Sequence, residues 1–438
     1  AWFDDEINRA TGILQAAGVL NPDLRILSLD LAEPPKAEVL SFNSGSRFRR
    51  EAAILAYEYQ KNRTIEGTVD LRLGKLSRWE EIKGVQAPLA GDDWQIAASI
   101  AKKDPAWVEA IKKRGINDLD KVLVENWASG YFGDAKQKGR RLNWCLAYYR
   151  PSGTNHYGQP IEGLYALIDL NEKKIVKLVD TGAVPIPVEK PELDPASIGK
   201  LRPAPARMQI LQPEGPGFTV KGNLINWQKW QFRFTVNWRE GLVLHTVGYQ
   251  DDGRLRSILY RGSLSEMVVP YSDPSEGWYF RNAFDEGEYG MGLSPLEGRL
   301  DVPENALLLD VVSADKFGKA TVQKGVVAIY ERDGGVLWRH TDYVTTTTEA
   351  RRSRELVVTT VVTEGNYDYC FNWVFRQDGS LEMETLLTGI MSVKGIAAKN
   401  EAEHMEAAMG HPMFGHLVAP NINAVHHQHF FNFRLDLD

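Results

Sequence analysis

Cysteine is scarce. The 438 residues contain two, Cys145 and Cys370, far apart in the chain. Two cysteines cannot build the disulfide framework on which small secreted domains depend, although they leave an oxidising compartment open. A basic excess is also missing. Lys and Arg number 51 against 58 Asp and Glu, for a net charge of −7. That balance does not suit a protein whose main work is to neutralise phosphates, so no nucleic-acid partner is expected. No run of 18 apolar residues occurs, so no membrane-spanning helix is expected. Ala1-Trp2-Phe3-Asp4-Asp5 has neither the basic start nor the apolar stretch of a leader peptide. A cleaved leader would leave no trace, so a periplasmic or extracellular location is expected, with the cytoplasm as the alternative. What the chain does have is aromatic bulk. Twelve Trp, 16 Tyr and 16 Phe are enough to fill large cores.

The length suggests about three domains, or two with one large, at roughly 150 residues each. From Asp4 onward, Ile7, Ala10, Ile13, Leu14 and Ala17 share one helical face, with Gly18 as the stop. Glu38–Phe42, Ala53–Tyr59 and Thr64–Leu71 are β-rich and read as strands. A second helical stretch opens at Asp92-Asp93, is broken by Pro105 and ends at Gly115. Leu142–Tyr149, Gly163–Asp169 and Lys174–Asp180 then read as strands. The two blocks share no clear identity. Between Ala183 and Pro216 lie eight of the chain's 21 prolines, the mark of an extended connector. Beyond it nearly everything reads as β. Trp230–Trp238 alternates apolar and polar, Asp251-Asp252-Gly253 is a turn, and Asp378-Gly379 joins Cys370–Arg376 to Leu381–Leu387. Asn400–Met409 reads as a short helix or a loop. The expected architecture is α+β: two small α+β domains (1–90 and 91–182), a Pro-rich linker (183–216) and a large antiparallel β-sandwich (217–438).

Three segments carry candidate chemistry. Six of the nine histidines follow position 400. Among them His427 and His429 are two apart, so a strand would put both imidazoles on one face, as chelation of one metal ion requires. The alternative is a pair with a structural or surface role. In Thr363-Glu364-Gly365-Asn366-Tyr367-Asp368-Tyr369, a Gly-Asn turn feeds a strand, and Tyr367 reads equally well as a buried, satisfied tyrosine. The segment from Tyr271 to Gly290 sets Asp285 behind a cluster of aromatics. A desolvated carboxylate there would have a raised pKa and could act as a base, and the alternative is a solvated acidic turn around Gly287.

Together these segments resemble the copper amine oxidases, the family with a self-derived topaquinone cofactor. Thr363, Asn366, Tyr367, Asp368 and Tyr369 match its Thr-x-x-Asn-Tyr-(Asp/Glu)-(Tyr/Asn) motif, and His427-Gln428-His429 matches its His-x-His. Asp285-Glu286-Gly287-Glu288-Tyr289 matches its Asp-x-Gly-(Asp/Glu)-(Tyr/Phe). Flanking text such as Gln212–Pro216 and Trp338-Arg339-His340 extends the likeness over essentially the whole chain. The resemblance implies oxidative deamination of primary amines to aldehyde, ammonia and hydrogen peroxide by a bacterial-type enzyme without the extra amino-terminal domain. It implies copper and a topaquinone formed from Tyr367, with Asn366 orienting the ring, Tyr271 hydrogen-bonding it and Asp285 removing the substrate's α-proton. His427 and His429 would be two of three copper ligands, with the third histidine beyond the position of Asp438 and the last third of the family's length with it. His426 would face away. His404, His411 and His416 are the in-chain candidates to replace the third ligand. Asp436, the Leu437 carbonyl and Asp438 would begin a second metal site for calcium or manganese. The family's disulfide has no counterpart at Cys370. Tyr157 and Ala283 would line the substrate channel, the latter with a small side chain where relatives often carry a bulky gate. A primary monoamine and dioxygen are the implied partners, in a homodimer. Two readings compete: a cupin-like metal dioxygenase, weakened because no Glu follows His429 closely, and an inactive β-sandwich fragment.

Overall fold

The computed structural model describes residues 2–43, 45–151, 153, 155–189, 191–284, 289–409 and 413–437, the side chains at 282–284 not among them. Helix α1 (Asp4–Ala16) buries Ile7, Ala10 and Leu14 and carries three acids in its first turn, where the helix dipole favours them. Gly18 follows at φ +69°, the left-handed conformation glycine adopts at little cost. The helix lies on the antiparallel sheet β1 (Leu24–Leu31), β2 (Glu51–Glu58), β3 (Arg63–Asp70) and β4 (Lys75–Ile82), hydrogen-bonded in that order. One expectation fails here. Glu38–Phe42 is not a strand, because helix α2 (Lys36–Leu40) occupies it. The segment buries no residue and leaves Leu40 and Phe42 about half exposed, so it has neither the partner strand nor the covered face that pairing needs.

The second helical stretch divides at Pro105 as its sequence predicts. Helix α3 (Gly91–Lys103) ends, and α4 (Pro105–Lys113) starts with Asp104 accepting from the Trp107 amide at 2.9 Å. The helices cover one face of the sheet β5 (Val122–Ala128), β6 (Leu142–Tyr149), β7 (Leu164–Asp169) and β8 (Lys174–Asp180). The other face of β6 and β7 packs against Phe280, with Trp144 stacked on that ring at 4.8 Å. Burial on both faces matches the mostly apolar sequence of these two strands. It also brings β5 and the segment after β6 against the large domain.

The Pro-rich connector has one turn of helix, α5 (Pro195–Ile198), and otherwise no regular structure among its described residues. Its end is fixed by the buried Glu331 carboxylate, which accepts from Gln212 Nε2 and the Gly217 amide, both at 2.6 Å, and from Trp227 Nε1 at 2.9 Å.

The remainder is a sandwich. One sheet runs β9 (Phe218–Lys221), β10 (Leu224–Trp227), β11 (Trp230–Asn237), β12 (Gly241–Asp251), β13 (Arg254–Pro270) and β14 (Asn282–Phe284). The facing sheet runs β15 (Leu307–Ala314), β16 (Ala320–Thr341), β17 (Thr348–Glu364), β18 (Tyr367–Arg376) and β19 (Leu381–Gly389). Between them lies the largest core, where Phe232 of β11 stacks on Phe375 of β18 at 4.1 Å and 9°. Next come β20 (Val393–Gly395), α6 (Glu401–Ala407), β21 (Gly415–Ala419) and β22 (Ile422–Val425), with the Asn400 side chain capping α6. Finally β23 (Phe430–Leu437) returns to pair with β13. Val268 therefore faces Phe284 on one side and Phe430 on the other. This closure brings His427, just before β23, beside Tyr271. Among the described residues no helix is long and apolar enough to cross a membrane.

Candidate functional site

Tyr367 opens β18 directly after a tight turn from β17, with Glu364 paired to Tyr367. Gly365 takes the first turn position at φ +59° and Asn366 is not at positive φ, the pattern of a II′ turn. Buried Asn366 clamps this turn. Its Nδ2 donates to the Ile390 carbonyl, and its own carbonyl accepts from the Ile390 amide at 2.6 Å. Opposite Tyr367 stands Gly389, at φ +104°. A Cβ there would lie 2.6 Å from the Asn366 carbonyl oxygen and 2.7 Å from Tyr367 Cα. Gly389→Ala is therefore expected to cost about 2 kcal/mol or more, from strain plus the clash. A thermal unfolding midpoint equal to the parent's would contradict this account of the turn.

The Tyr367 hydroxyl lies 2.9 Å from both Tyr271 Oη and His427 Nε2. His427 Nδ1 is 2.9 Å from the Val425 carbonyl, which can only accept. With a single ring proton, that proton therefore sits on Nδ1, and Nε2 is left as the acceptor. Tyr367 donates to His427, and Tyr271 in turn donates to Tyr367. The Tyr271 ring stacks on His427 at 4.9 Å, and a β-bridge joins the two residues. Burial pushes the Tyr271 hydroxyl's pKa well up, and a charge on Tyr367 pushes it further, so Tyr271 stays protonated as a donor.

His429 meets the Tyr367 ring edge-on at 4.9 Å, and its Nδ1 is 3.0 Å from Tyr369 Oη. Burial, and secondly a charge on His427, lower its pKa to about 4. The ring is thus neutral over the physiological range, as a metal ligand must be. His427 and His429 precede β23 rather than lying in it, yet the alternation holds: both are half-buried while His426 and Gln428 are exposed. The two imidazoles are 5.1 Å apart.

Other expected site residues are placed less completely. Asp285 lies outside the described residues, directly after β14. The Ala283 backbone pairs with Val269 in β14. Tyr157 reaches the sandwich from the second sheet's side and donates to Glu125 Oε1 at 3.1 Å. Asp436, on β23, accepts from Lys36 Nζ of α2 at 2.7 Å, and Leu437 pairs with Leu259. Asp438 and His411 are outside the described residues. His404 is buried on α6, and His416 on β21 contacts His426 at 4.7 Å. Among the described residues no group of three or more His, Cys, Asp or Glu could hold a metal, so neither His404 nor His416 completes the pair. Cys145 and Cys370 are both free.

Sequence reasoning missed β5 and, with it, Glu125 and Trp127. The Trp127 ring meets Tyr271 edge-on at 6.4 Å. The signal was present in the β-branched and aromatic content of Val122-Leu-Val-Glu-Asn-Trp-Ala128.

This geometry agrees with the chain's likeness to known proteins. A sequence profile described as "Copper amine oxidase, enzyme domain" matches residues 219–438. Two more match in front of it, a copper amine oxidase N3 domain at 92–195 and an N2 domain at 4–78. The chain belongs to the copper amine oxidase family. It is 38% identical to a primary amine oxidase of Klebsiella aerogenes, over 99% of this chain and 57% of that one. It is 34% identical to a histamine oxidase of Arthrobacter globiformis, over 99% of this chain and 62% of that one. Its fold superposes on a copper-containing benzylamine oxidase of Hansenula polymorpha with a TM-score of 0.87 at 26% identity, covering 100% of this chain and 69% of that one. The chain thus spans about three fifths of the length of these curated relatives. Membership of the copper amine oxidases implies copper and topaquinone in general. The site fits both in part. Two imidazoles 5.1 Å apart suit copper, and a phenol oxygen lies 2.9 Å from one of them. A third nitrogen donor is not found among the described residues.

Proposed function

We propose that the protein is a primary-amine oxidase. The net reaction is RCH₂NH₂ + O₂ + H₂O → RCHO + NH₃ + H₂O₂. Tyr367 is the precursor of topaquinone, and His427 and His429 are two of the copper ligands. The observation that carries the reading is the chain of hydroxyls from Tyr271 through Tyr367 to His427, with His429 edge-on to the same ring. When present, the copper–quinone pair supplies the electron sink for the amine and returns the electrons to dioxygen. The chain's own groups do the rest. Tyr271 holds a proton at the Tyr367 oxygen. The Asn366 clamp fixes the ring's backbone. Asp285 takes the α-proton from the bound amine.

The test is to expose purified protein to copper and dioxygen, titrate it with phenylhydrazine and assay peroxide with benzylamine. An absent hydrazine adduct and no peroxide would instead support the inactive-fragment reading. For Asp285→Asn the expected result is an unchanged hydrazine titre with turnover reduced about 10³-fold, within the usual worth of a positioned base. Normal turnover in this variant would remove Asp285 from its role. The cupin-like alternative rests on the histidine pair alone, and nothing in the match of residues 219–438 supports it.

Aromatic or medium aliphatic monoamines are the proposed substrates, because the family resemblance puts the small residue Ala283 where relatives often carry a bulky gate. A homodimer belongs to the same proposal. It is supported by the long β16–β17 hairpin, which leaves Trp338 50%, Val344 74% and Tyr343 90% exposed near its tip. Such a patch is costly to leave in water. A calcium or manganese site at Asp436, the Leu437 carbonyl and Asp438 would require Asp436 to exchange Lys36 for the ion.

A further inference from the structure

Beside the proposed site the chain desolvates a carboxylate that the reaction does not use. Glu125, on β5, accepts from Tyr157 Oη at 3.1 Å and from Trp127 Nε1 at 3.4 Å. The Tyr148 hydroxyl is a third donor. Burial raises the pKa of the carboxyl, and these donors together with the Arg281 charge oppose the rise.

Its partners lead toward Tyr367. Trp127 is held between the Tyr271 ring at 6.4 Å and the Arg281 guanidinium at 5.6 Å. Arg281 also covers Trp278 at 3.6 Å, and Trp278 meets Tyr271 at 5.4 Å. Tyr157 packs on His156 at 4.0 Å, and the charge of Asp368, the residue after Tyr367, acts on its hydroxyl. Packing alone does not call for a carboxylate here, since an apolar side chain would fill the space without the desolvation cost. An apolar side chain would, however, leave an indole N–H and a phenol O–H without acceptors. A fixed acceptor at the polar tip is what selects one orientation of an amphipathic ring.

We propose that Glu125 is a positioning residue for substrate, holding Trp127 and Tyr157 as fixed walls of the approach to Tyr367 so that amine side-chain shape is discriminated there. This rests on the amine-oxidase reading. The walls matter most for a substrate that touches them, so a bulky amine depends on Glu125 and a minimal one does not.

The experiment compares the parent, Glu125→Gln, Trp127→Phe and the double variant, with benzylamine and methylamine as probes. Glutamine keeps the shape but offers one acceptor oxygen in place of two. Phenylhydrazine titre is expected to equal the parent's in every variant. For benzylamine KM is expected to rise about tenfold in Glu125→Gln, the worth of one hydrogen bond to a charged group. The kcat should fall by less than KM rises, and methylamine should shift by less than half as much. Near-UV circular dichroism of the metal-free protein should change in Glu125→Gln, and the same substitution on the Trp127→Phe background should add little. A benzylamine KM within twofold of the parent, an equal shift for both amines, or an unchanged near-UV spectrum would overturn the proposal. Should Glu125→Gln fail to fold, Trp127→Phe alone decides, because it keeps the carboxylate and removes its donor, and an unchanged benzylamine KM there overturns the proposal. A parent without hydrazine-reactive quinone would defeat the amine-oxidase reading instead, and the dichroism arm would still decide whether Glu125 orients the rings.

Discussion

Tyr367→Phe is expected to abolish the quinone. Phenylalanine keeps the ring, the pairing of β18 with β17 and β19, and the contacts with His427 and His429 at 5.6 and 4.9 Å. It removes the one oxygen that Tyr271 and His427 both reach at 2.9 Å. Without a phenol there is no oxygen for the metal and no activated ring to oxidise. Hydrazine-reactive absorbance and amine-dependent peroxide should both fall to background. Stability should change little, because two lost hydrogen bonds are worth about 1 kcal/mol each. The variant should therefore unfold as one transition within several degrees of the parent. A persisting hydrazine adduct would move the cofactor to another residue and dismantle the proposed site.

The second large effect is expected at His427. Alanine there removes the acceptor of the Tyr367 proton, the ring stacked on Tyr271 and one of two neighbouring imidazoles. Outer-shell changes at metal sites commonly cost up to about 100-fold in affinity, and loss of a ligand itself should exceed that. Competitive titration of metal-free protein with copper is the measurement. His426→Ala is the control, because His426 is exposed and packs on His416 instead. If His426→Ala weakens copper and His427→Ala does not, the ligand assignment is reversed. Quinone formation should follow copper occupancy, so a His427→Ala protein should carry less adduct even after long exposure to oxygen.

The failure at Glu38–Phe42 and the success at Trp230–Asn237 have one cause. Both segments have β-forming composition. The second alternates between a packed sheet face and solvent, whereas the first has no neighbour to pair with and coils into α2. Composition states a preference, and tertiary contact decides whether it is realised. Strands β6 and β7 were legible because burial on both faces favours a mostly apolar run. Strand β5 was passed over, and its two site-facing residues with it.

Some features need only a few adjacent residues. The II′-type turn at Gly365-Asn366, the break at Pro105, the alternation that faces His427 and His429 the same way and the ordered motifs that mark the family are all local in this sense. Each follows from backbone torsion, side-chain alternation or order along the chain. The meeting of Tyr271, Tyr367 and His427, separated by 96 and 60 positions, is of another kind. It requires β13 to lie between β14 and β23 and the two sheets to pack at one register, because hydrogen bonds act only over about 3 Å. The same holds for Lys36 on Asp436, 400 positions apart. No short stretch of sequence contains both partners of those long-range contacts, so only the tertiary structure could bring them together.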